Sequence, residues 1–486
     1  MAMIKVENLT FAYPSSYDNI FENVNFQIDT DWKLGFIGRN GRGKTTFLNL
    51  LLGKYEYSGK IITSVQFDYF PYSVEDKSRL TQEILQEVCP LAQEWEFMRE
   101  LSLLDVDTDV LQRAFETLSN GEQTKILLAA LFLNEGHFLL IDEPTNHLDT
   151  KARKTVSQYL KKKKSFILVS HDRNFLDDCV DHILSLNKAD IEVQSGNFSS
   201  YMVNFERQQE AEINQNERLQ KDIKRLQQSA RRSAVWSDRV ESTKIGAYDK
   251  GFVGHKAAKM MKRSKLAEAR KQLAIEQKSQ LLKNRETAED LRMIPLAYHS
   301  DRLASFSEVS VSYDGKTVCK PVTFTVQRGD RIVLDGRNGS GKSSLLKLLI
   351  GEQIEHTGLV QIASGLVISY VPQDTSHLYG TLSEFAEENK IDESLFKSVL
   401  SKLDFHQIQF GKNMQDFSGG QKKKVLIAKS LCEQAHLYVW DEPLNFIDVY
   451  SRIQIEQLIN EFSPTMILVE HDSAFRDMIA TKNVKL

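Results

Sequence analysis

Apolar runs and alternations occur twice along the 486 residues, in the same order. VENLTFAY (6–13) and FSEVSVSY (306–313) alternate with the period of two that a half-buried strand shows. KLGFIG (33–38) and RIVLDG (331–336) are short apolar runs, each ending at a glycine-rich turn. TTFLNLLLG and SSLLKLLIG follow and predict helices. Short helical stretches come next, LTQEILQEV and TLSEFAEEN. Then LSNGEQTKILLAALFL and FSGGQKKKVLIAKSLC each open on small residues and continue as amphipathic helices. FLLIDEP and LYVWDEP are apolar strands ending in acid pairs, and SFILVSHD and TMILVEHD are apolar strands ending at a histidine. Strands alternating with helices predict an α/β core with a mostly parallel sheet.

The two series keep register. Lys44 and Lys342 lie 298 positions apart, Ser119 and Ser418 lie 299 apart, Asp142 and Asp441 also 299, and His171 and His471 lie 300 apart. A near-constant offset predicts two homologous domains, residues 1–200 and 301–486, with an interdomain linker at 201–300. From Phe205 to Arg292 the chain is rich in Glu, Gln, Lys, Arg, Leu and Ala, and no proline occurs between Pro144 and Pro295. Leu219, Ile223, Leu226 and Ala230 form one apolar seam, and Leu266, Ala269 and Leu273 another. They predict two antiparallel helices of about 30 residues, each about 45 Å long at 1.5 Å per residue. A loop at about 236–255, with Gly246, Gly251 and Gly254, forms the tip.

The recurring turns carry chemistry. GRNGRGKTT (38–46) and GRNGSGKSS (336–344) both fit G-x-x-x-x-G-K-[ST]. Glycines let backbone N–H groups turn inward around phosphate oxygens. Lys44 and Lys342 supply charge for the β- and γ-phosphates, the hydroxyls of Thr45 and Ser343 suit Mg²⁺, and the following helix adds its positive N-terminus. Gly38, Asn40, Gly41, Gly43 and Thr46, and Gly336, Asn338, Gly339, Gly341 and Ser344, complete the two loops. Asp142 and Asp441 end apolar strands beside them, where a carboxylate holds Mg²⁺ directly or through water. Glu143 and Glu442 are placed to polarise the attacking water, and His171 and His471 to sense the γ-phosphate and orient that water. Tyr13 and Tyr313 end the first strand of each half. They read as adenine-stacking rings or as ordinary strand tyrosines.

Composition sets the setting. Hydrophobic residues make up 41% of the chain, enough for sizeable cores, and the net charge is −4. Cys89, Cys179, Cys319 and Cys432 are far apart and follow no metal or redox spacing, which reads as reduced thiols in a cytoplasmic protein. The start, MAMIKVENLT, has no signal-peptide pattern, and no apolar run approaches a membrane span.

Together these motifs resemble the ATP-binding cassette (ABC) family. The resemblance implies two P-loop NTPase cores that sandwich two ATP molecules head to tail, in an intramolecular dimer within a monomer. One site then pairs Lys44 with Ser418, Gly419, Gly420 and Gln421. The other pairs Lys342 with Ser119, Gly121 and Glu122. EPTNHLD and EPLNFID are similar to the ABC-F branch, ATPases that act on ribosomes. YLKKKKSFILVSHDR, HKAAKMMKRSK and WDEPLNFIDV resemble its Lsa-type antibiotic-resistance group. The interval from P-loop lysine to signature serine is 75 residues in one half and 76 in the other, which leaves no room for an extra arm in the first cassette. The family usually places a glutamine after the strand that follows the P-loop helix, where it bonds Mg²⁺ and the attacking water. Gln373 stands there in SYVPQD, but Tyr72 does in DYFPYS, so the Lys44 site is expected to turn over more slowly. Asn120 replaces the usual signature glycine, a mild departure because Asn tolerates left-handed backbone.

Charge concentrates in the linker. Residues 221–271 hold 15 Lys/Arg against 5 Asp/Glu, while the whole chain is acidic. A charge run is ordinarily a solvated helix face. Trp236, Lys244, Tyr248, Phe252 and Val253 near the tip make an RNA-binding probe the favoured reading, with basic residues on phosphates and rings on bases. The resemblance implies the bacterial large ribosomal subunit, its rRNA and the P-site tRNA as partners. Three functions stay open: drug protection from the ribosomal tRNA exit (E) site, a general translation factor on stalled ribosomes, and the ATPase subunit of a membrane exporter.

Overall fold

A computed structural model describes residues 3–13, 19–146, 148–187, 190–242, 292–313, 315–337, 339–405 and 407–486. Two compact units divide the chain: Met1–Ser199 with Glu289–Leu486, and Ser200–Ala288.

In the first cassette, β1 (Met3–Phe11), β2 (Phe21–Asp29), β3 (Lys33–Gly38), α1 (Lys44–Leu51), β4 (Ser58–Ile62) and β5 (Gln66–Phe70) lead into the helices α2 (Thr81–Val88) and α3 (Glu94–Leu103). The chain continues through α4 (Asn120–Leu131), β6 (His137–Asp142), α5 (Thr150–Lys161), β7 (Phe166–Val169), α6 (Arg173–Cys179), β8 (His182–Leu186) and β9 (Ile191–Ser195). A three-stranded antiparallel sheet runs β2-β1-β4, and a six-stranded sheet runs β5-β6-β7-β3-β8-β9. The latter is parallel except at β8–β9. β6, β7 and β3 are continuous apolar runs because both faces are covered. α1 fills the space between the two sheets with Phe47, Leu48 and Leu50, all buried.

The second cassette repeats this plan. Its five-stranded parallel sheet runs Ile368–Val371, Leu437–Asp441, Met466–Val469, Arg331–Asp335, Lys482–Lys485. The helix Lys342–Leu349 fills the equivalent core through Leu345, Leu346, Leu348 and Leu349. In both sheets the P-loop strand lies beside the histidine strand, and that strand beside the Asp-Glu strand. The parallel direction brings all three functional ends to one sheet edge.

α7 (Phe198–Ser242) is one helix of 45 residues and enters the other unit at Ser200. It is longer than the expected 30, and it carries Trp236, which was expected in the tip loop. The reason is local: no Gly or Pro occurs between Gly196 and Gly246 to end it. Lys244, Tyr248, Phe252, Val253 and the second linker helix lie outside the described residues.

Candidate ATP sites between the cassettes

Each phosphate loop is built by glycines at positive φ. Gly41 and Gly43 have φ of 78° and 104°, and Gly339 and Gly341 have 78° and 86°. A side chain on Gly43 would strike Ile20, its Cβ falling 2.5 Å from a methyl group. These turns let α1 and Lys342–Leu349 start directly at the lysines. Lys44 Nζ donates to the carbonyls of Gly38 at 2.7 Å and Arg39 at 3.3 Å, and to Asn40 Oδ1 at 3.3 Å. Lys342 Nζ donates to the carbonyls of Gly336 at 2.8 Å and Arg337 at 2.9 Å. Burial lowers the pKa of both ammonium groups from its ordinary value. The loops thus hold a cation among backbone dipoles, a setting suited to phosphate oxygens.

The strand ends supply the carboxylates. Thr45 Oγ1 donates to Asp142 Oδ2 at 2.9 Å, and Tyr69 Oη donates to the same oxygen at 3.1 Å. Asp441 is 1% exposed and its Oδ1 has no hydrogen-bond partner among the described residues. Burial pushes its pKa up to about 6, although a hydrogen bond from Ser343 opposes this. An orphaned buried carboxylate oxygen beside a hydroxyl and a phosphate loop fits a hard divalent cation, which takes oxygen ligands and keeps several waters. The described residues contain no cluster of three His, Cys, Asp or Glu for a metal. Mg²⁺ needs none where the substrate supplies oxygens.

Glu143 and Glu442 both sit at positive φ, 50° and 46°. His171 Nε2 faces Glu143 Oε1 at 3.3 Å, and His471 Nε2 faces Glu442 Oε1 at 3.5 Å. Their surroundings differ. Burial, then the Asp142 charge, pushes Glu143 up to about 8. Burial also raises Glu442, but His471, Asn445 and Lys342 outweigh it and leave this carboxyl below its ordinary value. Gln373 Nε2 and Asn445 Nδ2 donate to Glu442 Oε2 at 2.9 and 2.6 Å. The first cassette has Tyr72 in place of Gln373.

Both signature serines are helix N-caps with full capping boxes, Ser119 with Glu122 and Ser418 with Gln421. The cassettes meet head to tail. Gly420 packs so closely that an added Cβ would lie 2.4 Å from the Phe446 carbonyl and 3.2 Å from Asn40 Nδ2. Asn40 Nδ2 donates to that carbonyl at 2.5 Å. Arg39 Nη1 and Arg42 Nη2 lie 2.9 and 3.7 Å from Asp404 Oδ1 of the other cassette. The first phosphate loop therefore touches the second signature turn. The reciprocal pairing lines a cavity of about 830 Å³, with Ser119, Gly121 and Glu122 on one wall and Gly339, Gly341, Lys342, Ser343, Ser344, Gln373, Glu442 and His471 on the other. Arg173 forms a bidentate pair with Glu456, and Asn174 Nδ2 donates to Ser473 Oγ at 2.8 Å, also between cassettes.

Head-to-tail contact of two phosphate loops with two opposed signature turns is the geometry of paired cassettes, and the family model described as ABC transporter matches residues 21–146 and 319–445. The chain belongs to the ABC family. It is an ABC-F protein and an ATP-hydrolysing P-loop ATPase. The ribosome protection protein VmlR of Bacillus subtilis is 28% identical over 98% of this chain and 85% of its own. The ATP-binding protein Uup of Caulobacter vibrioides is 28% identical over 96% and 74%. ABC transporter F family member 2 of Arabidopsis thaliana is 25% identical over 99% and 76%. Among solved structures, an archaeal ribosome recycling factor, aABCE1, in complex with the ribosomal stalk protein aP1, superimposes with a TM-score of 0.64 at 18% identity. It covers 98% of this chain and 87% of its own, a likeness of fold. No helix among the described residues is long and apolar enough to cross a membrane.

The structure places Tyr13 and Tyr313 at the edges of the two sites. Their hydroxyls pair with Thr46 Oγ1 at 2.9 Å and Ser344 Oγ at 3.0 Å. Tyr13 packs edge-on against Phe11 and Tyr55, whereas Tyr313 is 45% exposed. Asn338 lies outside the described residues. Tyr69, Arg39, Arg42, Asp404, Asn445 and Phe446 were not singled out from sequence. For Arg42 a signal existed, since Ser340 stands in its place in the second loop.

Proposed function

We propose that this protein is a cytoplasmic ribosome-protection ATPase that binds the bacterial ribosome at the tRNA exit site and relieves inhibition by drugs at the peptidyl-transferase centre. The drug classes are lincosamides, pleuromutilins and A-type streptogramins. The observation that carries the reading is the match over 98% of the chain, a share that must include the linker, to a relative named a ribosome protection protein. The excess of ten positive charges in residues 221–271 of an acidic chain supports contact with rRNA and tRNA phosphates. Trp236, Lys244, Tyr248, Phe252 and Val253 are the residues that would act on the drug or on the rRNA bases lining its pocket.

ATP binding drives the cycle. Lys44 and Lys342 neutralise phosphate charge, and the capped signature turns at Ser119 and Ser418 present helix N-termini to the other cassette's nucleotide. Thr45 with Asp142, and Ser343 with Asp441 and Gln373, would hold Mg²⁺, which supplies charge neutralisation on the phosphate oxygens. Glu442 accepts the proton of the attacking water, and Gln373 and Asn445 fix its carboxylate. His471 holds that water in line. Glu143 and His171 have the same parts in the other site, where Tyr72 offers no amide and burial favours a protonated carboxyl. Hydrolysis reopens the sandwich and releases the ribosome.

The test is growth of a sensitive bacterium with and without this chain, read as inhibitory concentration for the three drug classes. Ribosome co-sedimentation of the Glu143→Gln, Glu442→Gln chain accompanies it. Raised inhibitory concentrations with ATP-dependent co-sedimentation are expected. Co-sedimentation with unchanged drug sensitivity would overturn protection in favour of a translation factor, and loss of both would overturn the ribosomal reading.

A further inference from the structure

The signature helix of the second cassette, Gly419–Cys432, buries a lysine that no step above uses. Lys423 is 2% exposed. Its Nζ donates to the carbonyl of Pro372 at 2.9 Å and lies 3.3 Å from the carbonyl of Asp441. Each carbonyl immediately precedes a residue of the hydrolytic centre. Pro372 precedes Gln373, and Asp441 precedes Glu442. Those two side chains bond each other at 2.9 Å. The ammonium group therefore ties together the two backbone segments that carry the two halves of this pair.

We infer that Lys423 is a positioning residue for hydrolysis at the Lys342 site, holding the Gln373 segment and the Glu442 strand end in register. Among the described residues no carboxylate lies at hydrogen-bond distance from this ammonium group, and such burial is costly. Burial pushes Lys423 down to about 8, against the attraction of Asp441, Glu442, Glu470 and Asp374. The first cassette dispenses with the device: Thr124 occupies the equivalent position, with a side chain much too short for the same bridge. That cassette also carries Tyr72 in place of the glutamine. The amide and its clamp are thus present together in one cassette and replaced together in the other. The signature helix begins at the turn that lies against the opposite cassette's phosphate loop. The clamp consequently links that contact to the geometry of its own cassette's hydrolytic pair.

The inference rests on the roles given above to Gln373 and Glu442. The experiment uses the full chain with Glu143→Gln, so that the Lys342 site supplies the turnover. Lys423→Thr imports the residue that the homologous helix already tolerates, and Lys423→Arg keeps a long cationic donor. For Lys423→Thr, kcat is expected to fall about tenfold while KM for ATP changes less than about twofold, the pattern for a group acting in the transition state. The melting temperature should stay within a few degrees, and Lys423→Arg should recover most of the rate. Full kcat in Lys423→Thr overturns the inference. So does a loss shared by Lys423→Arg, or a rise in KM that accounts for the lost kcat/KM. Adding Glu442→Gln separates the two readings: persisting turnover in that chain defeats the role of Glu442 itself, whereas silence there with full activity in Lys423→Thr defeats only the clamp.

Discussion

Closure of the Lys44 site is held by a contact that, among the described residues, the Lys342 site does not have, and neutralising Asp404 exposes the difference. Asp404 lies at the end of the helix Glu393–Lys402 of the second cassette, and its side chain is 8% exposed. Arg39 and Arg42 approach one of its oxygens from the first phosphate loop, with side-chain exposures of 34% and 15%. Opening the Lys44 site must break these contacts because they run from its phosphate loop to the opposite cassette. Asp404 has a φ of 62°, so asparagine is the suitable replacement: it tolerates left-handed backbone and keeps an acceptor oxygen. The substitution replaces an ion pair with a hydrogen bond from a guanidinium to a neutral oxygen, a loss of about 1–2 kcal/mol, with Arg39 contributing the smaller part because water already reaches it. In Asp404→Asn the ATP concentration for half-maximal closure should rise about tenfold. The assay is distance-dependent fluorescence between labels on the two cassettes, in the Glu143→Gln, Glu442→Gln chain. Asp105 is the equivalent residue of the first cassette. It is 65% exposed and pairs with Lys151 of its own cassette at 3.0 Å. Opening leaves that pair intact, so Asp105→Asn should not move the ATP dependence. An unchanged midpoint in Asp404→Asn, or equal shifts in both variants, would refute the assignment of Asp404 as a cross-cassette clamp.

Glu143→Gln with Glu442→Gln should leave ATP binding intact and reduce steady-state turnover to background, measured as phosphate release; normal turnover would remove the two glutamates from the mechanism. Of the single variants, Glu442→Gln should lower turnover more, because its carboxylate is held ionised by His471, Asn445 and Lys342 whereas burial raises Glu143. Lys424→Met should destabilise the chain by about 3–5 kcal/mol in denaturant unfolding, since it strands buried Asp448, 3.0 Å from the Lys424 ammonium. The Asp448 carboxyl lies well below its ordinary range, with burial opposing and Lys424 and the Ser451 amide outweighing it. This pair's stabilisation is therefore complete above the unfolded carboxyl pKa and is lost as pH falls toward the lower folded value, a loss that Lys424→Met should not show. Replacing Tyr248–Gly254 with a short Gly-Ser linker should keep ATPase activity and ribosome co-sedimentation while abolishing protection; retained inhibitory concentrations would assign protection to the helices or to exit-site occupancy alone.

The fixed offset between the copies made most of the fold legible, because parallel strands buried on both faces and glycines forced to positive φ leave strong local marks. KLGFIG and RIVLDG could scarcely be anything other than central strands, and the glycines after them permit one kind of turn. What escaped detection is carried by backbone or by a change of environment. Asn40 reaches the second cassette through the Phe446 carbonyl, an atom every residue possesses. Within the triplet Lys422–Lys424, Lys423 and Lys424 are 2% and 3% exposed, bonded to carbonyls and to Asp448. The long helix Phe198–Ser242 overran the expected loop start because polarity and scattered charge end no helix without a breaker. Agreement between the copies reveals the shared machinery, and their disagreements reveal where it diverges. Tyr72 against Gln373, Thr124 against Lys423 and Arg42 against Ser340 are such disagreements. The first two place the amide and its backbone clamp with Glu442. The third gives the Lys44 site a second guanidinium toward Asp404. On the roles proposed above, one site would hold the cassettes together and the other would break the phosphate bond. This division of labour predicts that closure and turnover fail separately: Asp404→Asn should weaken the first while sparing kcat at saturating ATP, and Lys423→Thr should slow the second while sparing the ATP dependence of closure.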